Sequence, residues 1–193
     1  TTSGGNGATQ GNITIETDVN YNSGNDLYFQ AHGNIITQGI TNSGNGRLYL
    51  FTGWDGSGTG SGDVITGVGN VTLNGDITTG NSFRIYAGND ITTQNLSNGR
   101  AVVLESKDGD IVVNGNIGGF SGVNNPSQLY AEQGSITVNG NIDGRGADLR
   151  PGTGGNVLVS GDILVDRHVR INRNDRDTGD ISVGGNISGE IID

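Results

Sequence analysis

Gly109-Asp110-Ile111-Val112-Val113-Asn114-Gly115-Asn116-Ile117 sets the fold, because the same phrase returns along the whole chain. Close copies read GNVTLNGDI from Gly69, GSITVNGNI from Gly134, GNVLVSGDI from Gly155 and GDISVGGNI from Gly179. Looser copies begin at Gly11 (GNITIETDV), Gly33 (GNIITQGI) and Asn89 (NDITTQNL). The starts at 11, 33, 69, 89, 109, 134, 155 and 179 lie 22, 36, 20, 20, 25, 21 and 24 residues apart, so one period reads as one coil of a solenoid.

Ahead of most copies stands a second alternating run: Leu27-x-Phe29-x-Ala31, Leu48-x-Leu50, Phe83-x-Ile85-x-Ala87, Val102-x-Leu104 and Leu129-x-Ala131. Alternation with period two puts these residues on one side of a strand. Each coil is therefore expected to carry three short strands with aliphatic residues inward. The Asn-Gly, Gly-Asn and Gly-Asp pairs read as corners, where such residues tolerate positive φ. No segment has the 3.6-residue apolar period of a helix. The expectation is an all-β, right-handed parallel β-helix of about eight coils, roughly 40 Å long at the usual strand spacing. Residues 1–10 read as a flexible N-terminal segment and 11–193 as a single β-solenoid domain. The long 36-residue interval holds Trp54-Asp55-Gly56-Ser57-Gly58-Thr59-Gly60-Ser61-Gly62, expected as a flexible loop protruding from the stack near 53–63.

Composition agrees with a thin core. Only 31% of the 193 residues are apolar and 5% aromatic, while Gly supplies 37. A net charge of -10 repels nucleic acid and anionic membrane, and the densest apolar run, Ala101 to Leu104, is far short of a membrane span. Cys is absent, so disulfides and thiolate metal sites play no part. The opening Thr1-Thr2-Ser3 is read as that of a processed protein or an excised segment.

The recurrent LxLxAxxGNIxxNGxI pattern over residues 11 to about 188 resembles filamentous-haemagglutinin-like exoproteins of the two-partner secretion type. The resemblance implies a β-helix exported across the bacterial outer membrane, secreted or held at the cell surface, with adhesion, aggregation or delivery of a toxic tip as its role. Asn125-Pro126 lacks the second Asn of the family's secretion-domain motif, so the segment resembles the shaft. The function expected is a non-catalytic structural and adhesive shaft of a surface or matrix adhesin. The alternatives are a self-assembling filament subunit, a carbohydrate-active β-helix (polysaccharide lyase or hydrolase) and an ice-binding solenoid.

Each candidate chemistry has a structural counterpart. Asp108 and Asp110 flank Gly109, but Asn12, Asn34, Asn70, Asn156 and Asp180 recur at the place of Asp110, as turn residues would. The charged run from Asp166 to Asp177 alternates His168, Arg170 and Asn172 on one side with Arg167, Val169, Ile171 and Arg173 on the other; it reads as a solvated face. The segment from Gly58 to Ile65 half resembles a calcium-binding nonapeptide but occurs once. No cofactor is expected, with loosely held calcium at the Asp corners left open. Ile91-Thr92-Thr93 and Ile77-Thr78-Thr79 prompt the ice-binding reading, although Thr also suits strands in general. Tyr28, Tyr49 and Tyr130 each follow an inward Leu and are expected to form an outward ladder with Tyr86 and Phe51 nearby. With Trp54 they are the candidate site for an extracellular glycan or surface protein. End-to-end self-association is the other contact expected, through terminal coils that carry no helical cap.

Overall fold

The computed structural model describes residues 11–58, 61–118, 126–172 and 179–192. It is a parallel β-solenoid of eight coils with three strands per coil. Among the described residues there is no α-helix, only a turn of 3-10 helix at Ser61–Asp63.

The first face stacks Ile13–Ile15, Ile35–Thr37, Val71–Leu73, Ile91–Thr93, Ile111–Val113, Ile136–Val138, Val157–Val159 and Ile181–Val183, all parallel and in register. Every one of these strands starts two residues after one of the eight repeat starts. The second face begins with Val19–Tyr21, Ile40–Asn42, Ile77–Thr79, Leu96–Asn98 and Ile117–Gly118. The third begins with Leu27–Gln30, Leu48–Phe51, Phe83–Ala87, Val102–Ser106 and Ser127–Ala131. In the sixth and seventh coils the second and third faces are joined, by the nine-residue strands Ile142–Arg150 and Ile163–Ile171.

A three-residue strand has room for two inward side chains and one outward. The inward ones are Ile35, Val71, Leu73, Ile91, Ile111, Val113, Ile136 and Val138 on the first face, all fully buried, and they meet Ile40, Ile77, Leu50, Ile85, Leu104 and Leu129 in one continuous core. Each fully buried aliphatic side chain contributes about 1.5–3 kcal/mol. Core burial lessens at the last coil, where Ile181 and Ile187 are 48% and 38% exposed.

The corners hold the coils in register. Where the chain turns out of a sheet its backbone N–H groups need other acceptors. Between the third and first faces, an unbroken column of side-chain oxygens provides them. Asn12 Oδ1 accepts from Asn34 N (2.7 Å), Asn34 Oδ1 from Asn70 N (2.8 Å), and Asn70 Oδ1 from Asp90 N (3.1 Å). The column continues through Asp90 to Asp110 (2.9 Å), Asp110 to Ser135 (2.7 Å), Ser135 to Asn156 (3.1 Å) and Asn156 to Asp180 (2.7 Å). A second column, between the first and second faces, links Asp76, Asn95, Asn116, Asn141, Asp162 and Asn186 in the same way.

These columns change the reading of the glycines. Of the corner glycines that precede a rung, only Gly69 has positive φ. Most of the others are needed for clearance: a Cβ on Gly109 would collide with Asp90 Oδ1, and one on Gly161 with Asn141 Oδ1. Gly-Asn and Gly-Asp are thus two halves of one device, the Gly admitting the previous coil's rung and the Asn or Asp extending it. Two corners are a residue shorter, Thr37-Gln38-Gly39-Ile40 and Thr93-Gln94-Asn95-Leu96. There the third strand residue is a buried Thr, whose hydroxyl donates to the carbonyl of Gln38 (3.3 Å) or Gln94 (3.4 Å).

Replacing Asn116 with Ala should lower unfolding free energy by about 1 kcal/mol, the usual net value of one hydrogen bond, whereas Asn116→Asp should stay within about 0.5 kcal/mol. Gly161→Ala should cost more than Asn116→Ala, because its Cβ displaces a rung. Urea denaturation followed by circular dichroism gives the order, and an Asn116→Asp loss as large as that of Asn116→Ala would contradict the role given to the rungs.

Candidate ligand-binding face

The third face has strands of four or five residues in its first five coils and two outward columns. The first column runs Tyr28, Tyr49, Arg84, Val103, Gln128, Asp148, Arg170. Two residues further along lie Gln30, Phe51, Tyr86, Glu105, Tyr130, Arg150. The tyrosines do not form one ladder. Tyr28 and Tyr49 stack at 4.6 Å with rings 3° from parallel, but Tyr86 and Tyr130 occupy the other column, separated by Glu105. The phase differs because Tyr28 and Tyr49 follow the first inward residue of their strands, whereas Tyr86 and Tyr130 follow the second.

Exposure also differs from expectation. Tyr49 and Tyr86 are each only 7% exposed, and Tyr28 alone is well exposed, at 39%. The cover comes from the two ends of the insertion, where Trp54 and Val64 lie back on the face. Trp54 pairs with Val64 in an antiparallel bridge; Asp55 N donates to Asp63 O (3.0 Å) and Ile65 N to Gly53 O (2.8 Å). Trp54 Nε1 donates to Gly58 O (2.9 Å), which also accepts from Gln30 Nε2 of the first coil (3.4 Å). Gly67 N donates to Gly88 O of the third coil (2.6 Å). Val64 and half-buried Trp54 thereby pack on Tyr49, Phe51, Tyr86 and Val103, whose strands span three coils. An outward apolar patch has become a second small core under a clasp.

Below the clasp the face is charged. Arg150 grips Asp148 with Nε (2.9 Å) and Nη2 (2.6 Å) while its guanidinium lies 4.5 Å from the centre of the Tyr130 ring. Tyr130 Oη donates to Asp148 Oδ2 (3.3 Å). Burial, and next the Asp148 charge, push the Tyr130 phenol up to about 12. Lys107 Nζ bonds Glu105 (2.8 Å) and Glu132 (2.5 Å). Burial acts to lower its ammonium, but the two carboxylates outweigh it and the net shift is upward. Phenol and ammonium alike are thus held in their protonated forms, poorly suited to act as bases at neutral pH.

The other candidates fall into place by register. Asp110 is a rung of the corner column, and exposed Asp108 lies just before it. Val169 points into the core while Arg170 and His168 lie on the outer side; Arg167, expected beside Val169, is exposed at the corner leading into the third face. Arg173 to Asp177 lie outside the described residues, as do Thr59 and Gly60 of the calcium-like segment. Asp63 of that segment accepts from Ser57 Oγ (3.1 Å), and among the described residues no group of three or more His, Asp or Glu is placed to hold a metal ion. Thr93 of the first face and Thr79 of the second turn inward; the first face's outward column mixes Thr14, Ile36, Thr72, Thr92, Val112, Thr137, Leu158 and Ser182, and the second's runs Asn20, Thr41, Thr78, Ser97 and Gly118.

No protein-family model, curated protein or solved structure matches this chain.

Two measurements check this face. In a spectrophotometric titration one tyrosine should ionise near pH 12, and Asp148→Asn should move it downward. Because the folded value lies above the ordinary phenol value of 10.0, the associated stability is complete below pH 10 and is lost as pH rises towards 12. Trp54→Ala should speed amide exchange at Val64 and Ile65 while far-ultraviolet circular dichroism stays unchanged; unaltered exchange would mean that the clasp does not depend on the indole.

Proposed function

We propose that the chain is a non-catalytic structural and adhesive shaft of a secreted or surface-held bacterial adhesin of the filamentous-haemagglutinin-like type, working outside the cell. The observation that carries this reading is the uniformity of the stack. Eight coils repeat one register, and the carboxylates that recur most regularly are occupied as rungs. A rod built this way transmits position rather than performing chemistry, because each coil needs only its neighbours and length is gained by adding coils. Its ligand in this reading is an extracellular glycan or a surface protein. The clasped aromatic patch leaves Tyr28 as the one well-exposed ring of the expected set, so adhesion falls to the exposed edges and faces rather than to a tyrosine ladder.

A turnover screen on acidic and neutral polysaccharides, run beside adhesion of the immobilised chain to intact cells, tests the proposal. Adhesion without turnover is expected, and Tyr28→Ala should reduce adhesion by less than half. Asp110→Asn should change neither readout, since Asn fills the same rung in other coils. Polysaccharide cleavage that disappears in Asp110→Asn would sink the shaft reading and restore the carbohydrate-active one.

A further inference from the structure

Two corners between the first and second faces differ from the rest in their backbone hydrogen bonds. In the seventh and eighth coils the middle residue of this corner donates to its counterpart one coil back, Gly161 N to Gly140 O (3.2 Å) and Gly185 N to Gly161 O (3.1 Å). The two short corners, Gln38-Gly39 and Gln94-Asn95, have no middle residue: two residues stand there against three in the next coil, between pairs fixed by Thr37 with Leu73 and Ile40 with Ile77, and by Thr93 with Val113 and Leu96 with Ile117. The coil that follows each of them therefore carries a middle glycine with no carbonyl to meet. Asn74 N and Asn114 N donate to Thr37 O and Thr93 O (2.8 Å each), but Gly75 N and Gly115 N make no hydrogen bond to a described residue.

Each of these glycines follows an asparagine. Asn-Gly occurs five times among the described residues, at Asn45, Asn74, Asn98, Asn114 and Asn139. At two of the five the glycine N–H is tied, Gly46 N to Ser23 O (2.8 Å) and Gly99 N to Thr79 O (3.0 Å), and Asn98 is buried besides. Asn74 and Asn114 are exposed. Asn114 Oδ1 also accepts from Asn139 Nδ2 (3.2 Å), which polarises the Asn114 side-chain carbonyl towards attack and holds the Asn139 amide against the preceding coil.

We propose that Asn74 and Asn114 are self-modifying sites, converting to isoaspartate without an enzyme. The nitrogen of the following glycine, on losing its proton, attacks Cγ of the asparagine. The Cγ–Nδ2 bond breaks, ammonia leaves with the proton, and a five-membered succinimide remains. Water then opens the ring: cleavage of the bond from the glycine nitrogen to the asparagine main-chain carbonyl carbon gives isoaspartate, and cleavage of its bond to Cγ gives aspartate. The sum is one amide and one water turned into one carboxylate and one ammonia. A free glycine N–H favours the first step, because a donated hydrogen bond must be given up when that nitrogen ionises. Isoaspartate carries the main chain through Cβ and lengthens the corner by one methylene directly ahead of Asp76 and Asn116. Asp76 Oδ1 is the rung for Asn95 N (3.1 Å), and Asn116 joins Asn95 (2.9 Å) to Asn141 (2.8 Å). Conversion thus displaces rungs and adds negative charge at interfaces that already lack their middle bond, so the rod weakens with age at two set planes. This inference goes beyond the shaft reading and does not depend on it.

The test is to hold the whole folded chain at mildly alkaline pH and follow each Asn-Gly site by peptide mass mapping, with fragmentation that separates isoaspartate from aspartate. Asn74 and Asn114 should convert roughly fivefold faster than Asn45 and Asn98, the factor expected of one hydrogen bond on the attacking nitrogen. In concentrated urea, where no coil holds a glycine N–H, all five sites should convert at similar rates. The urea midpoint of the aged chain should fall, whereas the double variant Asn74→Ser/Asn114→Ser should keep its midpoint over the same period; Ser160 already stands at the equivalent place in the seventh coil. Equal conversion at the five sites in the folded chain, faster conversion at Asn45 or Asn98, or conversion in urea alone would overturn the proposal. A midpoint that falls as far in the double variant as in the parent would overturn the link to the rungs.

Discussion

The hydrogen bond from a corner backbone N–H to an Asn or Asp side chain one coil away is the constraint on which the rest depends. Strands of three residues are too short to fix register by themselves, and a slip of one residue would turn every aliphatic side chain outward. Rungs at two of the three corners remove that freedom, since each joins equivalent positions only. The seven links from Asn12 to Asp180 each fasten a coil to its neighbour, at about 1 kcal/mol apiece. The abundant Gly follows from the same bond. Disordered Gly-rich chains use Gly for freedom, whereas here Gly removes a Cβ from the path of a rung, as Gly109 does beside Asp90.

The insertion shows how such a rod accommodates added sequence. Strand pairs run between coils, so residues placed at a corner leave Thr37 paired with Leu73 although 36 residues separate them. What an insertion must manage is its own apolar content. Trp54 and Val64 do this by covering Tyr49, Phe51 and Tyr86, which without them would be an outward aromatic patch on a parallel sheet. The clasp thereby protects one face.

Much of the fold was legible because its signals are local and repeated. Each repeat start falls two residues before a first-face strand, and the inward aliphatics of Leu48-x-Leu50 and Phe83-x-Ile85 are where alternation puts them. The aromatic site was legible only in part. Alternation correctly turns Tyr28 and Tyr49 outward, but it does not say which column a residue joins, and Tyr86 and Tyr130 fall two positions away. Nor does a stretch of alternating Gly and Ser announce that it will fold back, because its anchors, Gln30 and Gly88, lie on other coils.

The direction of the rungs also has a mechanical meaning. Rungs and sheet hydrogen bonds alike lie along the solenoid axis. Tension spread evenly over a whole coil loads every bond of one interface together, which is the strongest way to hold a parallel sheet. Tension applied through the backbone at a coil's edge instead opens the bonds one after another. A coil of 20 residues, such as the one from Ile91 to Ile111, then pays out roughly 7 nm of extended chain. The same rod thus resists being snapped yet yields to being unwound, lengthening in coil-sized steps that dissipate a pull rather than transmit it.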